Sequence, residues 1–356
     1  MKTIYFSILL LFSILLYSCG NEELPLPNDS TYTNAQTFFE DLKFRGAVLI
    51  SKNNNDILRT GFGEANSQTG ELNNDTTKFR IGSVSKTLTG MGIVQLIRDG
   101  LITGLDQYLS DFDADFPNGN SITIRHLLSH QSGIPDYVPR IEGQAKSGQS
   151  FTSDDIYNEI KNAITENGLD FAPGTEMHYS NSNFLIAAVL IEQLSGKTYS
   201  SFIKQHVLEP LQMNDTEMGN STIGGSVYAQ GYNGSNNVSN YPMNITLGAG
   251  CWTSTVGDME KWCKAAMGDN WFTAAEKKAI FESDIPMEST IFGLAWFNSN
   301  IFDKTFHWHG GDIDGFSALI GFVPQNQGII IALSNEQDDT AQKRNKIIET
   351  ILNEEF

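Results

Sequence analysis

Ser83 and Lys86 are the first residues in this chain whose types and spacing could do chemistry together. They close residues 79–86, Phe-Arg-Ile-Gly-Ser-Val-Ser-Lys, where a polar loop gives way to an apolar run. Val84, Leu88, Met91, Val94 and Ile97 recur at helical spacing, and Ile93 and Leu96 widen the apolar surface. The pattern predicts a centrally buried helix stopped at Asp99-Gly100. Ser83 then sits at its N-terminus, with Lys86 one turn later on the same face. A serine hydroxyl attacks only when a base takes its proton, and lysine can be that base if its pKa is lowered. The positive end of the helix dipole favours negative charge developing at Ser83. The spacing alone is a weak signal, because Ser201 and Lys204 repeat it inside an ordinary amphipathic helix.

Two further clusters lie downstream. Tyr179-Ser180-Asn181 follows the Pro173-Gly174 turn and precedes a strongly apolar helix over residues 184–194. His309-Gly310-Gly311 ends a strand. Tyr-x-Asn is also weak by itself, since Tyr32-Thr33-Asn34 matches it.

In this order, Ser-x-x-Lys, Tyr-x-Asn and His-x-Gly resemble the active-site elements of serine β-lactamases and penicillin-binding proteins. The likeness is closest to the class C β-lactamase branch, with its esterases and D-amino-acid peptidases. Residues 79–86, 127–137 (LLSHQSGIPDY), 179–196, 210–216 and 316–335 all look like segments of that family. The resemblance runs from about residue 36 to the end of the chain. It implies that Ser83 is the acylated nucleophile, Lys86 the base or proton relay, and Tyr179 a second general acid/base. Asn181 would position the lysine and the substrate amide, and the backbone amides of Ser83 and Asp312 would form an oxyanion hole beside Gly311. A tyrosinate at position 179 would gain stability from two neighbouring cations, Lys86 and His309. The family's third element is usually Lys-Thr-Gly or Lys-Ser-Gly. Here Gly310 has no hydroxyl, His309 is a part-time cation, and Asp312 and Asp314 follow. That departure bears on substrate class. It weakens the grip on a β-lactam or peptide carboxylate; if the Asp312 side chain points out of the cleft, the repulsion disappears and only the missing hydroxyl remains. A catalytically silent, penicillin-binding-like cell-envelope binding protein and a true β-lactamase are the competing readings.

The elements that must position these residues are legible as well. Residues 36–45 read as a short helix, and residues 46–51 and 57–63 as strands around an Asn-rich turn. Residues 105–284 read as mostly helical with long loops, including helices over 122–129, 153–165, 199–207 and 256–267, and a loop over 219–247. Strands return at 291–296, 305–309, 316–323 and 328–334, and a last helix spans 340–352. Strands at both ends with helices between predict an α+β fold. Its antiparallel sheet is flanked by the N- and C-terminal helices and carries an inserted helical domain. The division expected is 36–112 and 290–356 for the sheet domain and 113–289 for the insertion.

Residues 1–18 read as an export signal, with Lys2 before an apolar run too short to span a bilayer. Residues 16–19 (Leu-Tyr-Ser-Cys) resemble a bacterial lipoprotein cleavage box, which implies lipid attachment at Cys19. An uncleaved anchor is the alternative, and both place the chain in the cell envelope, behind a tether over residues 19–35. The formal net charge of −19 argues against a nucleic-acid partner. The partner implied is a small-molecule or cell-wall peptide substrate. Cys251 and Cys263 could pair or remain buried thiols. No metal or other cofactor is called for, since His307 and His309 share a strand face without an evident third ligand.

Overall fold

The computed structural model describes residues 34–223, 225–282, 290–337 and 340–356. The expected signal, Cys19 and nearly all of the tether lie outside them. Seven antiparallel strands form the main sheet: β1 (Gly46–Lys52), β2 (Asn55–Phe62), β3 (Thr290–Phe292), β4 (Phe297–Ile301), β5 (Lys304–Ile313), β6 (Phe316–Val323) and β7 (Gly328–Ser334). Their spatial order is β3-β4-β5-β6-β7-β1-β2, so the two ends of the chain meet where β1 pairs with β7. There Leu49 faces Ile331 and Val48 faces Ala332.

The strands at this join are buried on both faces, and their period of two sorts the side chains. Val48, Ile50, Ile330 and Ala332 pack with Phe38 and Phe39 of α1 (Ala35–Asp41) and with Ile347, Ile348 and Ile351 of α10 (Thr340–Glu354). Ala47, Leu49, Ile329, Ile331 and Leu333 point the other way, into the larger core. That core contains α8 (Val256–Met267), whose Val256, Met259, Trp262, Cys263 and Ala266 are fully buried. α8 thus covers the sheet directly, although its position in sequence had grouped it with the insertion. The remaining helices are α2 (Ser85–Arg98), α3 (Ile124–Leu128), α4 (Val138–Lys146), α5 (Ser153–Asn167), α6 (Asn181–Ser195), α7 (Tyr199–Ile203) and α9 (Ala274–Phe281). Among the described residues no helix is long and apolar enough to cross a membrane.

Several boundaries differ from expectation. The strand expected over 291–296 ends at Phe292; the chain then turns through Ala295, at φ +63°, and returns as β4. Trp296 is a core residue against Trp262 and Phe322, with centroids 6.3 and 5.6 Å away, and its apolarity imitated a strand. β5 is ten residues long, so His309-Gly310-Gly311 lies inside a strand. The helix expected over 199–207 is α-helical only to Ile203 and continues as a π-turn over Lys204–Leu208. The loop over 219–247 includes a short hairpin at Tyr232–Asn233 and Asn236–Asn237 and a 3-10 turn at Met243–Thr246. Cys251 and Cys263 are separate buried thiols.

α1 docks through aromatic packing. Phe39 is fully buried, edge-on to Phe38 and Phe44 and stacked on Phe62 at 5.6 Å. Phe39→Ala is expected to lower the unfolding free energy by about 3–5 kcal/mol, read as a fall in the urea midpoint.

Candidate active site

Ser83 lies in a 3-10 turn, Gly82–Val84, that feeds directly into α2. α2 is buried along most of its length, so its polar side chains must find partners inside. Thr87 accepts from Trp262 Nε1 at 2.8 Å, Ser85 accepts from the Trp252 amide at 3.1 Å, and Thr89 donates to the Gly248 carbonyl at 2.6 Å. Lys86, with no exposed surface, is the costliest of these to bury. Its ammonium donates to Ser83 Oγ at 3.1 Å, Asn181 Oδ1 at 2.8 Å and the Ala249 carbonyl at 2.8 Å. Three acceptors match its three protons. Burial pulls its pKa down to about 7, against the opposing pull of Asp136.

Tyr179 stands just before α6 and is hydrogen-bonded to Ser83. The Lys86 ammonium lies 4.9 Å from its ring centroid. Burial raises the Tyr179 pKa above the ordinary phenol value, and Asp136 and Asp312 push the same way. The resting group is therefore a phenol, not the tyrosinate that two flanking cations would favour. His309 is not the second cation. It is 1% exposed, packs against Phe297 at 5.2 Å and Phe292 at 6.1 Å, and burial drives its pKa down to about 3. Its Nδ1 donates to the Gly310 carbonyl at 2.6 Å, which leaves Nε2 as a buried acceptor with no hydrogen-bond partner among the described residues.

Asn181, the first residue of α6, orients its amide between two charges. Oδ1 accepts from Lys86, and Nδ2 donates to Asp136 Oδ2 at 2.8 Å. Asp136 also accepts from the Val138 amide at 3.0 Å. Sequence reasoning assigned no role to Asp136 or to the Ala249 carbonyl. The first lies within the segment 127–137 noted above; a backbone carbonyl leaves no residue-type signal.

β5 passes directly beneath the Ser83 turn. A Cβ on Gly311 would come within 2.0 Å of the Ile81 carbonyl and 2.8 Å of the Ser83 amide nitrogen, so only glycine fits. Gly82, at φ +49°, has the Asp312 amide nitrogen 2.9 Å from where its own Cβ would be. Ile313 and Phe316 close the β5–β6 hairpin, and antiparallel pairs alternate between hydrogen-bonded and open. Asp312 is in an open pair with Ser317, so its N–H points away from β6, towards the Ser83 turn. The Asp312 side chain goes elsewhere: it accepts from Arg344 Nη2 of α10 at 2.6 Å. Asp314 pairs with Lys146 of α4 at 2.8 Å. The two aspartates thus carry counter-ions and are not the free negative charges their sequence positions suggested. Gly310 also has a spatial reason, because a Cβ there would stand 2.8 Å from the Arg344 guanidinium carbon. Among the described residues no group of three His, Cys, Asp or Glu could hold a metal. His307 instead bonds Asn298 Oδ1 through Nδ1 at 2.7 Å.

Gly311→Ala is expected to cost about 1–3 kcal/mol by forcing the strand off the turn. Gly104→Ala, where a Cβ meets nothing within 4 Å, is the control. Equal urea midpoints for the two variants would contradict the close packing.

Comparison with known proteins agrees with this geometry. The family described as Beta-lactamase matches residues 34–352. The putative penicillin-binding protein PbpX of Bacillus subtilis is 28% identical over 324 residues, covering 89% of this chain and 78% of the relative. Penicillin-binding protein 4* of the same organism is 28% identical, covering 86% and 72%. Among solved structures, a penicillin-binding protein from Bacillus halodurans superposes with a TM-score of 0.76 at 24% identity, over 88% of this chain and 97% of the other. A D-amino acid amidase from Ochrobactrum anthropi SV3 gives 0.76 at 21% identity, over 86% and 92%. With the antiparallel sheet, the flanking helices and the order of motifs along the chain all in agreement, this protein belongs to the serine β-lactamase and penicillin-binding-protein family, on its class C-like side.

Proposed function

We propose that this chain is a serine hydrolase that cleaves an ester, amide or peptide bond through an acyl-enzyme. One observation carries this: Ser83 Oγ is hydrogen-bonded to two proton-transfer groups at once, Lys86 and Tyr179. With its pKa near 7, Lys86 is a neutral amine for a large part of the time at neutral pH and takes the Ser83 proton. Ser83 Oγ bonds to the substrate carbonyl carbon, and the carbonyl π electrons move onto oxygen. The Ser83 and Asp312 amides receive that oxyanion, a contribution of about 3–4 kcal/mol per donor. As the tetrahedral centre collapses, the bond to the leaving alcohol or amine breaks. Tyr179, a phenol at rest, passes its proton to that group and is resupplied from Lys86. Water then reverses the sequence on the acyl-serine.

The substrate class we favour has no carboxylate to be held at β5. His309 is neutral, Gly310 offers no hydroxyl, and Arg344 is already paired with Asp312. Neutral esters and D-amino-acid amides fit this description, and D-amino acid amidases are among the proteins of similar fold. The proposed setting is the cell envelope, with a lipid at Cys19. That part rests on residues 1–19 alone.

Ser83→Ala is expected to abolish turnover and leave the chain folded: Ser83 makes no helix-capping bond, and the acceptor that Lys86 loses costs about 1–3 kcal/mol. Ser201→Ala should hydrolyse as the wild type does. The decisive assay compares p-nitrophenyl butyrate and D-amino-acid p-nitroanilides with nitrocefin, using Ser83→Ala as the blank. Serine-dependent nitrocefin turnover well above the others would overturn the substrate class. An adduct on Ser83 that never turns over would favour the silent binding protein.

The pH dependence has a definite sign. The base form of Lys86 accumulates as pH rises, so kcat/KM should climb through about pH 7. His309 is already neutral there, so His309→Asn should leave the position of that limb in place whatever it does to the rate. A limb that vanishes in His309→Asn would reassign the titration.

A further inference from the structure

Tyr179 stands in an irregular stretch, residues 168–180, between α5 and α6. No strand ladder or helical turn holds it, yet its hydroxyl must meet Ser83. One residue from another loop supplies the grip. The His130 carbonyl accepts the His178 amide at 3.1 Å, and His130 Nδ1 accepts the Ser180 amide at 3.1 Å. These two bonds straddle residue 179. The imidazole itself lies over the Tyr179 ring, with centroids 4.1 Å apart and planes 31° from parallel. His130 is fully buried between that ring, Phe184 at 5.2 Å and Phe292 at 4.8 Å. Its backbone is left-handed, at φ +57°, a conformation that tertiary contacts must maintain.

The tautomer is determined as well. Asn183 Oδ1 accepts from Ser132, so its Nδ2 is the atom that meets His130 Nδ1, at 3.2 Å. Two N–H donors converge on Nδ1, which must therefore be the unprotonated nitrogen, with the proton on Nε2. Neighbouring backbone bonds extend the same lacing, since Gln131 and Gly133 carbonyls accept from Gly174 and Asp170 at 2.8 Å.

We propose that His130 is the positioning residue of Tyr179, holding the phenol against Ser83 by bracketing residues 178 and 180 and backing the ring. This rests on the hydrolase reading above, in which Tyr179 moves the proton to the leaving group.

His130→Leu removes the acceptor and keeps bulk; His130→Asn keeps an acceptor near the Nδ1 position and tolerates a left-handed backbone. Turnover of p-nitrophenyl butyrate is measured per active site, counted by phosphonate titration, so that misfolded chains drop out. His130→Leu should lower kcat per site by about ten- to a hundred-fold with KM little changed, and His130→Asn should recover most of that loss. A residue that only supported the fold would reduce the number of titratable sites and leave kcat per site alone. Wild-type kcat per site in His130→Leu, or an Asn variant no better than the Leu one, would overturn the proposal. If His130→Leu does not fold, His130→Gly takes its place with the same expectation, as glycine suits the positive φ. Failure of the hydrolase reading would show separately, as absent Ser83-dependent turnover in the wild type. In that case amide exchange at Ser180 decides: fast in the Leu or Gly variant and slow in wild type and His130→Asn supports the grip, and equal rates in all three refute it.

Discussion

The burial of one ammonium group governs this structure. Lys86 lies under the sheet–helix junction with no exposed surface, and an ion in such a place is tolerated only with full hydrogen bonding. Each of its three acceptors comes from a different part of the chain: the Gly82–Val84 turn, the start of α6, and the loop before α8. Desolvation lowers its pKa towards neutrality, and Asp136, reached through Asn181, limits the fall. The site is thus a balance between burial and one second-sphere carboxylate. Remove the acceptors and the charge is stranded; expose the group and it becomes an ordinary lysine, protonated and useless as a base.

A second constraint is steric. The turn bearing Ser83 and the strand bearing Gly311 approach so closely that two glycines are needed, one on each side. The contact joins the helical core to the sheet at the point where two backbone amides, of Ser83 and Asp312, are brought near each other. Gly310 belongs to the same arrangement from the opposite direction, because Arg344 of α10 occupies the space a side chain would take. The terminal helix therefore does more than cover the sheet. It pairs with Asp312, and so offsets the repulsion that the bare sequence suggested.

The buried histidines illustrate how environment overrides residue type. A histidine titrates near neutrality in water, but His130, His309 and the half-buried His307 are all held neutral by desolvation. His309 occupies the place of a family lysine without carrying its charge. His130, which lies in the segment 127–137 but carried no expected role, stacks on Tyr179.

By itself the sequence determined the fold class, most of the elements in their order, and the cluster of Ser83, Lys86, Tyr179 and Asn181. The elements were legible because local pattern is strong there: α2 and α6 have strong apolar periodicity, and the strands at the β1–β7 join are continuous apolar runs. The cluster was legible only through the order of its motifs, which resembles that of a known family, since Ser-x-x-Lys and Tyr-x-Asn are each weak alone. Where local pattern was ambiguous, the reading slipped. Trp296 looked like strand because it is apolar, and β4, which alternates weakly, went unseen. What only the tertiary structure decided were quantities that depend on neighbours distant in sequence. The protonation states of Tyr179 and His309 follow from burial that no residue announces. The direction of Asp312 follows from Arg344, 32 positions away along the chain. The grip of His130 on residues 178–180 follows from two loops meeting, and loops carry no periodicity from which such a meeting could be read.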